Sequence, residues 1–467
     1  MDKRTKVVAT VGPASETKAA IGELLLAGVD VFRLNLKHNS LAWHRETIKK
    51  IREVALEQKK SCGIMADIQG PELRIEVSDG KPITIKAGEE IWLESEFRGE
   101  KSLVINNPEI IKQIKQGKEA YIDNGKYHFL FSGDDDKGIK LRAENDSVIL
   151  GHKNINVPGI SLDLPLFSEK DLEILKQLDS LDVDFLALSF VRSKDDVEQL
   201  KQLVKEKGLD IKIIAKIENA AAIKNLDSII DAAYGVMVAR GDLGVEIPLR
   251  QLAFWQKVII SLCRKKRKPV IVATQMLLSM VSQPRPTRAE ATDVANAVYD
   301  ASDALMLSEE TAIGMYPIKT VTEMVDICRF AEEYGQTTKV DDQLDNETKI
   351  LGDCAASIIR NRKDYPIKAV VVFSQGGETA RILARYRFKI PIIAITNRMQ
   401  TYRILQLSYG VIPYYKQFKD TQFDKSNSVF KEIMEFGTIK PGDNLIVIHG
   451  NDWFNAGSTS DLSLIGV

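Results

Sequence analysis

Short apolar runs recur along the chain, and most of them are followed by a helical pattern. Eight of these runs occupy 6–12, 29–35, 61–68, 183–190, 211–218, 235–242, 269–275 and 303–310. They are nearly continuous in Val, Ile, Leu and Ala, which is typical of strands buried on both faces of a helix-covered parallel sheet. Eight such strands alternating with helices predict a (β/α)8 TIM barrel, and an open doubly wound sheet is the structural alternative.

Two intervals depart from this alternation. Residues 71–158 contain shorter runs interrupted by Gly, Asp and Asn, which indicates a small β-barrel lid domain inserted after the third barrel strand. Beyond the polar stretch 335–349, further apolar runs alternate with helical patterns and predict a C-terminal open α/β domain of regulatory type. The predicted domains are therefore a catalytic barrel at 1–70 and 159–337, a lid at 71–158 and the C-terminal domain at 338–467.

Composition narrows the class of protein. The 467 residues carry a net charge of −1, which gives no whole-chain electrostatic reason to expect nucleic acid or an anionic membrane as a partner. The four cysteines have no CxxC spacing, so a disulfide framework and a zinc site are disfavoured and a reducing compartment is favoured. No apolar run approaches membrane-spanning length, and the N-terminus lacks an apolar signal core. We therefore expect a soluble cytoplasmic protein.

Polar side chains cluster at the predicted strand ends, where a TIM barrel carries its chemistry. The second strand places Arg33, Asn35 and Lys37 on one face, because strand side chains repeat every second residue. Similar positions in other strands hold Asp67, Lys216, Glu218, Arg240, Gly241, Asp242, Thr274, Gln275, Ser308 and Glu310. Any one of them could belong to an ion pair that closes the barrel end. Their convergence from six strands predicts a site for an anionic ligand.

The chemistry of these side chains suggests phosphoryl transfer. Glu218 and Asp242 offer carboxylate oxygens suited to magnesium, which keeps several waters and bridges to its substrate. Lys216 and Arg33, together with a metal ion, are the groups needed to position a phosphoryl group and neutralise its charge.

Longer motifs carry a resemblance to a known family. The stretches are VATVGPAS (8–15), DIQGPELR (67–74), DLPLFSEKD (163–171), KIEN (216–219), MVARGDLGVEIP (237–248), KPVIVATQML (268–277) and PRPTRAEATDVANAVYDASDALMLS (284–308). In this order they resemble pyruvate kinase. The resemblance implies transfer of phosphate from phosphoenolpyruvate to ADP in glycolysis, giving pyruvate and ATP, and it implies a homotetramer.

The resemblance also implies roles for individual residues. Arg33 and Lys216 would grip the phosphoryl group, while Gly241 and Asp242 would bind the substrate carboxylate with Thr274. Thr274 would also take part in a water-linked proton relay to the enolate carbon. Glu218 and Asp242 would hold Mg²⁺ (or Mn²⁺). The implied nucleotide-binding residues are Pro13, His38, Arg74 and Lys176.

One position departs from the family pattern. Where relatives carry a serine that helps bind potassium, this chain has Lys37; the other potassium positions match Asn35, Asp67 and the backbone of Ile68. Our hypothesis is that the Lys37 ammonium replaces the ion, paired with Asp67, so that K⁺ is not required. The alternative is that Lys37 turns to solvent and the ion site is merely damaged. Glu72 argues against this hypothesis, because potassium-requiring relatives carry Glu at that position. Glu72 could also serve as a partner of Lys37.

Two further features and the function itself allow more than one interpretation. Glu309 replaces a usual glycine and would strain the site if that position needs a positive φ. The segment FSQGGETAR (373–381) is either a plain strand-to-helix turn or a loop for an effector phosphate. Two other functions remain: a non-catalytic sensor of phosphoenolpyruvate or nucleotide, and a metal-dependent lyase or aldolase acting on an oxo-acid.

Overall fold

The computed structural model describes residues 3–97, 102–105, 107–160, 162–335, 347–361, 364–417, 434, 438–450 and 459–467. The chain begins with three strands of a barrel, β1 (Lys6–Thr10), β2 (Val31–Asn35) and β3 (Gly63–Asp67), joined by helices α1 (Lys18–Ala27) and α2 (Leu41–Glu57). Thr17 and Ser40 cap these two helices, each accepting a hydrogen bond from a backbone N–H of the first turn.

The lid domain follows β3 and is a closed seven-stranded barrel with an extra two-stranded sheet. Its elements are β4 (Arg74–Val77), β5 (Ile83–Ile85), β6 (Glu90–Glu94), β7 (Ser102–Val104), α3 (Pro108–Ile114), β8 (Glu119–Ile122), β9 (Tyr127–Asp135), β10 (Gly138–Ala143), β11 (Ser147–Ile149) and β12 (Lys153–Asn156). The lid has its own apolar core, which includes Ile75, Leu93, Phe129 and Leu141, so it forms a separate packing unit.

The chain then returns to complete the central barrel. Its remaining elements are α4 (Glu169–Lys176), β13 (Phe185–Leu188), α5 (Lys194–Glu206), β14 (Lys212–Ile217), α6 (Ala220–Lys224), α7 (Leu226–Ala232), β15 (Gly235–Ala239), α8 (Arg240–Glu246), α9 (Leu252–Lys265), β16 (Val270–Ala273), α10 (Arg288–Tyr299), β17 (Ala304–Leu307), α11 (Glu309–Ala312) and α12 (Pro317–Tyr334). The eight barrel strands close in the order β1-β17-β16-β15-β14-β13-β3-β2, and every pairing is parallel. The predicted TIM barrel with an inserted small β-barrel is confirmed.

The C-terminal domain is an open sheet with helices. It contains α13 (Glu347–Asn361), β18 (Ile367–Phe373), α14 (Glu378–Ala384), β19 (Ile392–Thr396), α15 (Met399–Ile404), β20 (Val411–Tyr415), β21 (Asn444–Gly450) and β22 (Thr459–Gly466). The sheet order is β20-β19-β18-β21-β22, with β22 antiparallel to its neighbour. The segment 373–381 forms the turn between β18 and α14, where Gly377 takes a positive φ of 77°.

Strand alternation divides the barrel core into two layers. In β2, Phe32 and Leu34 pack outward under the helices, while Val31 points into the barrel. The inward layer also contacts Ile404 and Leu407 of the C-terminal domain. The C-terminal domain therefore covers the end of the barrel opposite the carboxyl ends of its strands, which leaves those carboxyl ends facing the lid.

A buried ion pair strengthens that covered end. Asp184, whose side chain is fully buried just before β13, accepts hydrogen bonds from Arg52 Nη2 at 2.8 Å and from the Ile64 N–H at 2.7 Å. Burial raises the pKa of Asp184, and the Arg52 charge opposes that rise. Arg52 and Arg403 of α15 also share Asp182, so the same cluster joins the barrel to the C-terminal domain.

We expect Arg52→Leu to lower stability by about 3 kcal/mol, because it leaves the Asp184 carboxylate buried without its main cationic partner. The measurement is the urea-unfolding midpoint at pH 7. The matched control is Arg45→Leu on the same helix, which breaks exposed hydrogen bonds to neutral groups and should cost less than about 1 kcal/mol. Equal midpoints for the two variants would contradict the role given to Arg52.

Candidate active site

The site is organised around one buried carboxylate, Asp67, at the carboxyl end of β3. Its Oδ2 accepts a hydrogen bond from Arg33 Nε at 2.7 Å, and its Oδ1 lies 3.3 Å from Lys216 Nζ. Burial alone would raise the pKa of Asp67, but the adjacent Lys216 and Arg33 cations outweigh it and lower the pKa. An ionised carboxylate therefore fixes two cations from two different strands beside each other.

Lys216 lies between two acids, Asp67 at the end of β3 and Glu218 just beyond its own strand β14. Its Nζ lies 2.9 Å from Glu218 Oε1 and donates to Ser189 Oγ at 2.7 Å. Burial would lower the pKa of Lys216, but Asp67 and Glu218 reverse that effect and raise it. The lysine thus stays protonated and serves as a fixed positive charge rather than as a base.

Two carboxylates face each other beside this lysine. Burial raises the pKa of Glu218, and the nearby Asp242 raises it further in spite of Lys216. Burial also raises the pKa of Asp242. Among the described residues no group of three or more His, Cys, Asp or Glu side chains is placed to hold a metal. Two carboxylates suit magnesium, which is usually bound through one or two carboxylates together with its substrate.

A strained turn follows β16. Thr274 and Gln275 have positive φ values of 73° and 53°, which are uncommon for residues with a Cβ. Thr274 Oγ1 accepts a hydrogen bond from the Gly241 N–H at 2.8 Å, and Arg240 Nη2 donates to the Thr274 carbonyl at 2.8 Å. Asp293 Oδ2 forms an ion pair with Arg240 Nη1 at 2.7 Å. These hydrogen bonds keep the threonine hydroxyl next to the start of α8.

The residues expected on the nucleotide side are more dispersed. Pro13 is exposed in the turn after β1. Burial and the surrounding cations, Lys37 first among them, lower the pKa of His38, which favours a neutral ring. Arg74 donates to the His152 carbonyl at 2.7 Å. Lys176 is exposed in the last turn of α4, and in the described part of the chain its side chain has no contact with the other three. These four roles remain predictions.

Comparisons with known proteins identify the family to which the chain belongs. Residues 2–321 match the model of the pyruvate kinase barrel domain, and residues 353–465 match that of the pyruvate kinase alpha/beta domain. The chain belongs to the pyruvate kinase family. Pyruvate kinases of Agaricus bisporus and Clostridium acetobutylicum are each 36% identical to it; the first alignment covers 100% of this chain and 91% of the relative, and the second covers 99% of each. A crystal structure of a pyruvate kinase from Cryptosporidium parvum superposes with a TM-score of 0.90 at 32% identity, covering 99% of this chain and 96% of that one.

Membership establishes the reaction. The chain is a phosphotransferase that moves phosphate from phosphoenolpyruvate to ADP in glycolysis, giving pyruvate and ATP. The pyruvate kinase reaction is therefore favoured over the two alternative functions, a non-catalytic sensor and a lyase or aldolase. Within the described residues, no helix is both long enough and apolar enough to cross a bilayer.

The pyruvate kinase departs from expectation at Lys37. Its Nζ lies 2.7 and 2.9 Å from the two carboxylate oxygens of Glu72, at the base of the lid. The predicted pair between Lys37 and Asp67 is wrong, because Asp67 is 2% exposed and already neutralised by Arg33 and Lys216. Lys37 lies two residues beyond the end of β2, where Glu72 is the nearer acid.

Two other positions of the expected potassium site, Asn35 and Ile68, have oxygens that already accept hydrogen bonds. Asn35 Oδ1 accepts a hydrogen bond from the Lys37 N–H at 3.2 Å. The Ile68 carbonyl accepts from Ser189 Oγ at 2.7 Å. Both oxygens thus have hydrogen-bond donors of the chain itself.

Sequence reasoning missed two hydroxyl residues. Ser189 follows β13 and bridges Lys216 to the Ile68 carbonyl, while Thr10 ends β1 and accepts from Arg33 Nη1 at 3.0 Å. The rule that active residues stand at strand ends, applied to the first and fourth strands, would have found both.

The question about Glu309 is resolved by its backbone. Glu309 begins α11 and is not among the described residues with a positive φ. Glutamate at this position, where relatives carry glycine, therefore does not strain the backbone. Its neighbour Glu310 is fully buried and accepts from the backbone N–H groups of Ser308 and Leu277. Ser308 and Glu310 thus brace the barrel end rather than face the substrate.

A hydrogen bond links the lid to the barrel beside the site. Asn156, at the end of β12, donates to Glu246 Oε1 of α8 at 2.9 Å. Burial raises the pKa of Glu246 to about 7, and the Asp242 charge contributes in the same direction. A carboxyl group whose folded pKa exceeds its unfolded value stabilises the protein at low pH, and that stability is lost as the pH rises through about 7.

We therefore expect the melting temperature of Glu246→Gln, measured relative to the unmodified enzyme, to rise by a few degrees between pH 5 and pH 8. The glutamine stays neutral throughout this range, while the buried glutamate becomes charged. The measurement is differential scanning calorimetry in metal-free buffer. Glu109→Gln, on the exposed surface of the lid, is the control and should show a constant difference. A pH-independent difference for Glu246→Gln would contradict this account.

Proposed function

We propose that the reaction takes place at the cluster built on Asp67, with Lys216 as its central cation. The observation that supports this proposal is the placement of Lys216 Nζ within 3.3 Å of Asp67 and 2.9 Å of Glu218, beside Arg33. In the reaction the bond between phosphorus and the enol oxygen breaks, and a bond forms from phosphorus to a terminal oxygen of ADP. Arg33 and Lys216 hold the phosphoryl group in line and neutralise its charge during transfer.

Glu218 and Asp242 are the residues that would hold Mg²⁺, or Mn²⁺ in its place. When bound, such an ion supplies positive charge at the substrate oxygens, where enolate charge develops. The substrate carboxylate lies against the backbone of Gly241 and Asp242, with the Thr274 hydroxyl as a further donor. This arrangement leaves the enol carbon facing Thr274.

Thr274 directs the final proton to the enolate carbon. A threonine hydroxyl is a poor acid by itself, so the proton arrives through a water that Thr274 orients. ADP binds on the side of Pro13, His38, Arg74 and Lys176, under the lid. Lid closure excludes water from the phosphoryl group, which prevents its hydrolysis.

We expect Lys216→Met to lower kcat by at least about 10³-fold, because it removes a buried charge aimed at the transition state. A coupled assay for pyruvate, run with and without ADP, measures the effect. Lys212→Met, at the other end of the same strand and paired with Asp210, should keep kcat within about twofold. Pyruvate release that does not depend on ADP, or full activity of Lys216→Met, would contradict the proposal.

We further propose that the enzyme does not need potassium, because Lys37 supplies a tethered positive charge in its place. Lys37 is held by Glu72, and both charges act on Asp242, so the ammonium lies within electrostatic reach of the metal-binding acid. Two like charges at contact repel strongly in a site of low dielectric, which disfavours an additional monovalent cation.

We expect the native enzyme to reach nearly its full rate in potassium-free buffer with tetramethylammonium as counter-ion. Lys37→Ser, which restores a hydroxyl, should lose most of that rate and recover it when potassium is added. Lys37→Met, which has neither charge nor hydroxyl, should lose the rate and recover less with potassium. Strong activation of the native enzyme by potassium would contradict the proposal that Lys37 replaces the potassium ion.

Two properties follow from family membership alone. We propose that the chain assembles as a homotetramer and works in the cytoplasm, with phosphoenolpyruvate and ADP as its small-molecule partners. Sedimentation velocity at micromolar concentration distinguishes a tetramer from smaller species.

A further inference from the structure

The ammonium group of Lys216 has three N–H bonds, and three acceptor oxygens lie close to its nitrogen. Asp67 Oδ1 is 3.3 Å from Nζ, Glu218 Oε1 is 2.9 Å away and Ser189 Oγ is 2.7 Å away. An ammonium group can only donate, so each of these oxygens acts as an acceptor towards it. The shortest of the three contacts is therefore made by a neutral hydroxyl and not by a carboxylate.

The direction of the Ser189 hydroxyl is set by a further partner. Ser189 Oγ donates its hydrogen to the Ile68 carbonyl at 2.7 Å, while Asp67 Oδ1 is more distant at 3.4 Å. A hydroxyl has one hydrogen, and a carbonyl oxygen can only accept, so the lone pairs of Oγ are left for Lys216. The hydrogen bond to Ile68 thus holds Ser189 as an acceptor for the ammonium group.

The position of Ser189 in the barrel gives it little freedom to move. It is 2% exposed and directly follows β13, which pairs with β3 on one side and with β14 on the other. Ile68 directly follows β3, and Lys216 belongs to β14. The hydroxyl therefore ties the ammonium group from one neighbouring strand to the backbone at the end of the other.

The same arrangement occurs at the other cation of the site. Thr10 Oγ1 accepts a hydrogen bond from Arg33 Nη1 at 3.0 Å and donates to the Leu307 carbonyl at 2.8 Å. Thr10 ends β1 and is 4% exposed. Each of the two cations is thus bound by one oxygen of Asp67 and by one buried hydroxyl at a strand end, whose hydrogen goes to a backbone carbonyl.

We propose that Ser189 is a positioning residue for phosphoryl transfer, which sets where the Lys216 ammonium group points. This inference rests on the proposed function, in which Lys216 neutralises the charge of the phosphoryl group. A lysine carries a compact charge on a flexible four-carbon stem, so attraction to carboxylates alone does not fix its direction. The hydroxyl adds a directional acceptor without a charge of its own, so it orients the ammonium group and leaves the positive charge available to the substrate.

Steady-state kinetics of Ser189→Ala in the coupled pyruvate assay test this role. We expect kcat to fall at least about tenfold, because small displacements of a positioned group are costly in the transition state. The KM for phosphoenolpyruvate should change less than about threefold, because the charges of Arg33 and Lys216 remain in the site. Melting temperatures check that the variant is folded.

Ser302→Ala is the matched control. Ser302 is fully buried two residues before β17, at the other end of the barrel, and its hydroxyl also donates to a backbone carbonyl, that of Ala297. Removing this hydroxyl also removes a buried hydrogen bond, but far from the reacting groups. The control should therefore keep kcat within about twofold.

A double-mutant cycle separates positioning from a merely structural role. Adding Ser189→Ala to Lys216→Met should lower kcat by less than about a further twofold, because no ammonium group is left to position. Losses of kcat that multiply in the double variant would contradict the proposal. Ser189→Cys fills a similar space but is a weak acceptor, so it should also lower kcat and provides the test if Ser189→Ala folds poorly.

The same measurements distinguish this proposal from the catalytic one. Low activity of Lys216→Met together with normal kcat values for folded Ser189→Ala or Ser189→Cys would contradict the positioning role alone. Full activity of Lys216→Met would instead contradict the catalytic role of Lys216, on which the positioning role depends.

Discussion

The site depends on the buried carboxylate of Asp67. It holds Arg33 through one oxygen and Lys216 through the other, so two cations from strands β2 and β14 stay together where they would otherwise repel. Its ionised state is secured by the same two cations, since burial alone would favour the neutral form. Each member of this group thus keeps another in its charged form, and the geometry is fixed before any substrate arrives.

The charge balance of the cluster agrees with the divalent ion that pyruvate kinases generally use. Arg33 and Lys216 are offset by Asp67 and Glu218, and Asp242 adds a further acid beside them. Such a site is poorly suited to an anionic substrate. Burial raises the pKa values of Glu218 and Asp242, and neighbouring acids add to that rise. Glu218 and Asp242 would hold a divalent cation, which would supply positive charge at the site, so metal and substrate are expected to favour each other's binding.

Much of the architecture could be predicted from the sequence, because nearly continuous apolar runs identify strands buried on both faces. Strand periodicity also placed Arg33 on the face of β2 from which it reaches Asp67. The pairing of Lys37 with Asp67 was inferred from the potassium positions of the family, and the sequence does not show that Glu72 lies closer to the Lys37 ammonium. Ser189 and Thr10 were missed because the rule that active residues stand at strand ends was not applied to the first and fourth strands; their contacts with Lys216 and Arg33 are visible only in the structure.

The pairing of Lys37 with Glu72 has a consequence for how the lid and the site are connected. A potassium ion can enter and leave a site independently of the lid, whereas the Lys37 ammonium is covalently tied to the barrel and bound to the lid's first connecting segment. Glu72 also holds Arg74 at 2.5 Å, so any motion of that segment shifts charge around Asp242. Asn156 and Glu246 make a second link at the other connecting segment. With both segments attached beside Asp242, the position of the lid and the electrostatics of Asp242 are coupled through the chain itself.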